Sequence, residues 1–264
     1  MFGAIVGDII GSTYEWNNAK REDFELFPPG SRYTDDTVLT CATADAILQK
    51  VDYGEKYREY FNRHQIAGYG ANFMRWAFRK EPKPYNSYGN GSAMRVSPVA
   101  YAFNDLEIVI EEAKNSAQVT HNHPEGIKGA QATAASIFLA RKGLSKEEIK
   151  SFIVERFCYN LDFDLLSLNQ TYKYDISCQG SVPQAIFCFL QSNNYEDAIR
   201  KAIFIGGDSD TIACITGSIA EAYYQGVPTW ILDNVLPLLA QSIKGTMNVF
   251  YQKYNVPLTK RLSP

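Results

Sequence analysis

Two short acidic segments carry the residue types best suited to holding hard metal ions: Thr34-Asp35-Asp36-Thr37 and Asp208-Ser209-Asp210-Thr211. Each directly precedes an apolar run with helical spacing. Each therefore also meets an ordinary need, because Asp and Thr are favoured N-caps and carboxylates gain about 0.3–1 kcal/mol at a helix N-terminus. One cap accounts for one aspartate. It does not account for two aspartates and a threonine at both places. If the fold joins the segments, four carboxylates repel unless something neutralises them. Two divalent cations balance that charge. A donor set of carboxylate and hydroxyl oxygens suits Mg²⁺ or Mn²⁺ rather than zinc or copper. Spacing alone leaves both readings open, capped helix starts and a metal centre.

The elements that must position these residues read as helices. Val38-Leu39, Cys41-Ala42, Ile47-Leu48 and Val51 follow helical spacing, as do Ile127, Ala130, Ala134 and Ile137-Phe138, with Gly143 as a stop. Ser145-Lys146-Glu147-Glu148 is a capping box for a helix reaching about Cys158. Asp197 to Ile205 predicts a further helix ending at Gly206-Gly207. Thr211 to Tyr224 predicts one rich in small residues, ended by Gly226, with Pro228 in the first turn of the next. The segments 17–34, 80–92, 120–125 and 160–181 read as loops. Strand-length alternation is scarce, and no Gly-x-Gly-x-x-Gly follows a strand, so a Rossmann fold is excluded. The expected architecture is one all-α domain over 1–264, its site formed where loops meet helix ends.

Composition narrows the function class. With 45% hydrophobic residues over 264 positions, the chain can bury a sizeable core. A formal net charge of −3 gives no basic excess to grip a phosphate backbone, although a nucleic-acid end as substrate needs only a local site. The five cysteines form no Cys-x-x-Cys pair, and no Cys/His cluster has zinc spacing. They read as reduced thiols of a cytoplasmic protein. The apolar start Met1–Ser12 is interrupted by Asp8 and lacks a basic leader, so it reads neither as a signal peptide nor as a membrane span. No segment reads as a dedicated interface, and a monomer is expected.

Several segments, in order along nearly the whole chain, carry a family resemblance. They are Gly7-Asp8-Ile9-Ile10-Gly11-Ser12-Thr13-Tyr14-Glu15, Thr34-Asp35-Asp36-Thr37, Gly89-Asn90-Gly91-Ser92-Ala93-Met94-Arg95, Thr120-His121, Gly180-Ser181-Val182-Pro183-Gln184-Ala185 and Gly206-Gly207-Asp208-Ser209-Asp210-Thr211. Together they resemble the ADP-ribosylglycohydrolase family. Ser209 stands where that family often has Thr, Ala or another small residue, between the ligand positions.

The resemblance implies an all-α hydrolase with two Mg²⁺ or Mn²⁺. Thr34, Asp35 and Asp36 would hold the metals from one side, and Asp208, Asp210 and Thr211 from the other. The ions would engage the distal ribose hydroxyls of an ADP-ribosylated protein or nucleic acid, with ADP-ribose as product. Glu15, otherwise an ordinary loop carboxylate, becomes a catalytic candidate beside Asp35 and Asp210. Gly89, Asn90, Gly91 and Ser92, an ordinary turn by themselves, become a diphosphate loop, with Gly180 and Ser181 opposite and His121 near the ligand. Arg95 reads as an internal partner of an acidic residue in preference to a phosphate contact, and His123 fits a turn beside Pro124. Tyr69, Tyr88 and Tyr174 are either adenine-stacking or packing residues. The 17–32 loop, with Phe24, Phe27, Pro28 and Pro29, is a candidate lid. Two alternatives accompany this reading: a hydrolase of another ribosyl or guanidino compound, and a catalytically silent ADP-ribose-binding or structural relative.

Overall fold

The computed structural model describes residues 1–256. Its helices, in order, are α1 (Phe2–Gly11), α2 (Asp35–Gln49), α3 (Tyr53–Arg63), α4 (Ala71–Ala77), α5 (Gly91–Met94), α6 (Ser97–Ala102), α7 (Leu106–Gln118), α8 (Pro124–Arg141), α9 (Lys146–Phe157), α10 (Leu165–Thr171), α11 (Cys178–Leu190), α12 (Tyr195–Ile205), α13 (Ser209–Tyr223), α14 (Thr229–Val235) and α15 (Gln241–Lys253). Among the described residues the only β-type pairing is an isolated antiparallel bridge between Gly89 and Ser177. The all-α expectation holds. The last eight positions of the expected domain, 257–264, lie outside the described residues.

The architecture turns on α1 and α13. Every residue of α1 is buried, so this helix is apolar on all sides, as a central helix must be. Gly3, Gly7 and Gly11 recur every fourth residue and form one stripe along it. A Cβ on Gly7 would lie 2.0 Å from the Ala213 carbonyl oxygen, and one on Gly11 would lie 2.4 Å from Asp210 Cα. The two backbones are therefore in direct contact, a separation that only glycine permits. Around this pair, α8, α11 and α12 pack on α13, while α2 packs on α1, α3 and α15.

Several sequence expectations are met locally. The capping box at Ser145 is complete, and Cys158 ends α9 in the left-handed region. Two expectations fail. The 160–181 stretch, expected as a loop, contains α10 and the first turn of α11, a helix that also takes in Pro183. Near the start of α11 the missing proline N–H removes only one bond, and the buried face of the helix holds it. Pro228 is the N-cap of α14 rather than a first-turn residue. No helix among the described residues is long and apolar enough to cross a membrane.

The 17–32 loop is pinned down. Phe24 is buried, and the Arg200 guanidinium lies over its ring while donating to the Glu22 and Phe24 carbonyls. Of its surroundings, Trp16 and Arg32 at its two ends reach the main cavity.

Candidate active site

The fold brings the two acidic segments together. Thr34 caps α2 by accepting from the Asp36 amide, and Asp208 is the N-cap residue of α13. The helix starts meet at the wall of a cavity of about 550 Å³, lined by Thr34, Asp35, Asp36, Asp208, Asp210 and Thr211. Thr211 Oγ1 donates to Asp36 Oδ1 at 3.5 Å, a direct link between α2 and α13. Glu15 joins from the segment after α1, where it, Asp208 and Asp210 each offer a carboxylate oxygen within 4.8 Å of the others.

Asp8 underlies this arrangement. It is fully buried and accepts from the Thr34 amide and hydroxyl and from the Thr37 amide and hydroxyl. Four donors around one carboxylate fix the first turn of α2 against α1. The Thr34 hydroxyl hydrogen is committed to Asp8, which leaves an oxygen lone pair for another ligand. Asp8 had no assigned role in the sequence, although its signal was present: a lone acid inside an apolar run.

Charge at the site is poorly compensated by protein groups. None of Asp35, Asp36, Asp208 and Asp210 forms an ion pair with a lysine or arginine among the described residues. Burial first, and then the neighbouring Asp8, push Asp35 up to about 8. Burial and the same neighbours hold Asp36 well above the usual carboxylate range. Asp210 is raised by burial, Asp208 and Asp36. Asp36 Oδ2 is buried without a hydrogen-bond partner. An orphaned carboxylate oxygen among repelling acids and threonine hydroxyls fits a hard divalent cation.

Glu15 is half-buried, and its carboxyl is raised by burial first and by Asp208 second. Tyr174 donates to Glu15 Oε1 at 3.1 Å. Of the three tyrosines considered for stacking, only Tyr174 lines the cavity. Tyr69 is buried against Phe61 and Phe73, and Tyr88 is exposed with its ring against His123.

The glycine loop splits between wall and interior. Gly89, Asn90 and Gly91 line the cavity. Asn90 Nδ2 donates to Asp208 Oδ2 at 2.6 Å, which ties the loop to the second acidic segment. Ser92 turns inward, fully buried, and donates to the Gly126 carbonyl. Gly180 and Ser181 are likewise not brought to the cavity wall. Gly180 abuts the Asp175 carboxylate, and buried Ser181 donates to the Ser177 carbonyl. His123 is the N-cap of α8 and accepts from the Glu125 amide.

His121 does line the cavity, with Nε2 close to Gly89 and Gly91. Burial and Arg95 lower its pKa well below the usual histidine value, so the ring is neutral. Arg95 Nη2 donates to Thr120 Oγ1 at 2.7 Å, and Thr120 Oγ1 lies 2.7 Å from His121 Nδ1. With the threonine hydrogen given to Nδ1, the neutral imidazole carries its own proton on Nε2, facing the glycine turn. Arg95 has no acidic partner among the described ion pairs. It donates to the Ser116 carbonyl as well as to Thr120, and its guanidinium sits 4.1 Å from the Tyr57 ring centroid. Sequence reasoning also missed Trp16, Arg32, Arg75 and Ile176 on the cavity wall, which come from segments without a local motif.

Comparison with known proteins identifies the family and the fold. The model of the family described as ADP-ribosylglycohydrolase matches residues 1–256. The chain is 29% identical to the ADP-ribosylhydrolase ARH3 of Mus musculus, over 84% of this chain and 82% of that protein. It is 27% identical to the ADP-ribosylarginine hydrolase Tri1 of Pseudomonas putida (strain GB-1), over 88% and 72%. The fold is shared with a solved structure titled "ADP-ribosylglycohydrolase-related protein complex", at a TM-score of 0.71 and 23% identity, covering 96% of this chain and 95% of that one. With two acidic helix starts, Glu15 and the glycine turn around one cavity, and a family match running from the first residue through Val256, the chain belongs to the ADP-ribosylglycohydrolases, which are glycosidic-bond hydrolases.

Proposed function

We propose that the chain cleaves the C1″ glycosidic bond between ADP-ribose and a protein side chain or nucleic-acid acceptor, using two Mg²⁺ or Mn²⁺. The observation that carries this reading is the junction of the α2 and α13 N-termini, where unpaired buried carboxylates meet Glu15 at one cavity. Thr34, Asp35 and Asp36 would hold the metals together with Asp208, Asp210 and Thr211. Bound there, the ions supply the positive charge that these carboxylates lack and a grip for the hydroxyls of the distal ribose.

The chain's own residues then divide the remaining work. Gly89 and Gly91 allow the backbone to approach the diphosphate, and His121 Nε2–H donates nearby. Ser92, Gly180 and Ser181 support this loop from behind. Glu15 accepts a proton from the attacking water as the C1″–acceptor bond breaks, and returns it to the departing acceptor atom. Its raised pKa suits both halves of that exchange. The sugar passes through an oxocarbenium-like transition state. Five free cysteines, four of them buried, support the cytoplasm as the working compartment.

The test is release of ADP-ribose by purified protein with Mg²⁺ or Mn²⁺ from ADP-ribosylated arginine, serine and nucleic acid, each linkage separately. Release from at least one, abolished by chelation, is expected. Absence of release from all three, together with no metal binding by calorimetry, overturns the reading. ADP-ribose binding without turnover would favour a silent relative.

A further inference from the structure

Glu15 lies on an irregular segment between α1 and α2, yet it must keep a fixed place beside Asp208 and Asp210. Side chains outside the motifs hold it, Asn18 and Tyr174 among them. Asn18 Nδ2 donates to the Tyr14 carbonyl at 2.6 Å and contacts the Glu15 carbonyl at 3.2 Å. The same amide group clasps the other acidic segment. Its Nδ2 reaches the Gly207 carbonyl at 3.0 Å, and its Oδ1 accepts from the Gly207 amide at 2.8 Å. Gly207 immediately precedes Asp208, so one side chain joins the backbone of Glu15 to that of the second cluster. The fit is tight: a Cβ on Gly206 would lie 2.8 Å from Asn18 Oδ1, and Gly206 and Gly207 both have positive φ.

Tyr174 holds the other end of Glu15, donating to its carboxylate at 3.1 Å. The Tyr174 ring is in turn stacked on Trp16, with centroids 5.2 Å apart and planes 27° from parallel. Trp16 is 78% exposed, so the ring contact serves the tyrosine rather than the core.

We infer that Asn18 and Tyr174 are positioning residues for Glu15, Asn18 through its backbone and Tyr174 through its carboxylate. This rests on the role proposed for Glu15 above. A two-point hold removes conformers in which the carboxylate swings away from the scissile bond, which raises the fraction of productive complexes without adding substrate contacts.

The experiment uses Tyr174→Phe, which removes one hydroxyl and keeps the stack, and Asn18→Ala. Each variant is assayed for kcat, KM and ADP-ribose Kd with metal present, and for hydrogen exchange at the Gly207 amide. The expected result is a kcat lowered about tenfold in each, with KM and Kd within about twofold, part of what acid–base catalysis supplies. Gly207 exchange should accelerate in Asn18→Ala and stay slow in Tyr174→Phe. Unchanged kcat in both variants overturns the inference, as does a kcat loss matched by an equal loss of ADP-ribose affinity. If Asn18→Ala does not fold, Tyr174→Phe decides. If the unmutated chain releases no ADP-ribose, the functional reading falls on its own, and Gly207 exchange still decides whether Asn18 joins the two segments.

Discussion

Asp8 Oδ2 accepts from the Thr34 amide at 2.9 Å while Asp8 Oδ1 accepts from the Thr34 hydroxyl at 2.7 Å, so one buried carboxylate grips both donors of a proposed metal ligand. Asp8→Asn turns one acceptor into a donor facing other donors. Metal affinity should fall roughly 10–100-fold, the usual cost of removing a group that orients a ligand. Stability should fall by about 1–3 kcal/mol for the unpaired buried groups. Calorimetric titration with Mn²⁺ and urea unfolding measure the two effects separately. Unchanged metal affinity would remove Asp8 from the site.

Asp35→Asn and Asp210→Asn should act in opposite directions on function and on metal-free stability. Each removes a proposed ligand, so turnover should drop by about 10³-fold or more, the scale on which electrostatic stabilisation acts. Each also removes a carboxyl whose ionisation burial and its acidic neighbours oppose, and which must take up a proton on folding. The metal-free variant should therefore melt above the metal-free parent, as when strained functional groups are neutralised. Thermal unfolding in a chelator is the measurement, and a lower melting temperature for both would refute the repulsion argument.

The sign of the pH dependence follows from the same carboxyls. Folding raises Asp35 from the ordinary 3.8 to about 8, so the folded metal-free chain binds more protons than the unfolded one across that window. Stability from this source is complete below the unfolded value and is lost as pH rises through the folded one. The metal-free melting temperature should decline between about pH 5 and 8. Mg²⁺ must displace those protons, so its stabilising increment should grow with pH, and binding should release protons into the buffer. Melting curves with and without Mg²⁺ at several pH values, plus titration in buffers of different ionisation enthalpy, test both statements.

Gly7→Ala places a methyl group 2.0 Å from the Ala213 carbonyl oxygen, which is backbone and has no rotamer to change. The helices must separate, at a cost of roughly 3 kcal/mol or more, the upper end for overpacking. Because Asp8 and Asp210 flank this contact, metal affinity should fall with stability. Gly245→Ala on α15, where an added Cβ meets nothing within 4 Å, is the control expected to be neutral or slightly stabilising.

What the sequence disclosed depended on how local each signal was. The acidic segments were readable because cap chemistry and ligand chemistry sit within four consecutive residues directly before apolar helical runs. Their meeting was not readable from spacing and was expected only through the family resemblance, since α1 and α13 bring it about from opposite ends of the chain. Ser92 and Gly180 show another limit. Successive helical residues point about 100° apart, so one short motif supplies both wall and support, and spacing does not say which. Asn18 and Tyr174 had no motif at all, because their partners are backbone groups and a carboxylate fixed only by tertiary packing.

The glycine stripe of α1 also sets the timetable by which this protein becomes an enzyme. Gly7 and Ala213 touch although roughly two hundred residues separate them, and such distant pairings form slowly. A growing chain on the ribosome holds Asp35 and Asp36 long before Asp208 exists. Until α13 emerges, the apolar α1 lacks its cover and leaves that surface open to non-native contacts. Competence for chemistry thus arrives in one late step, when the first helix finds its partner.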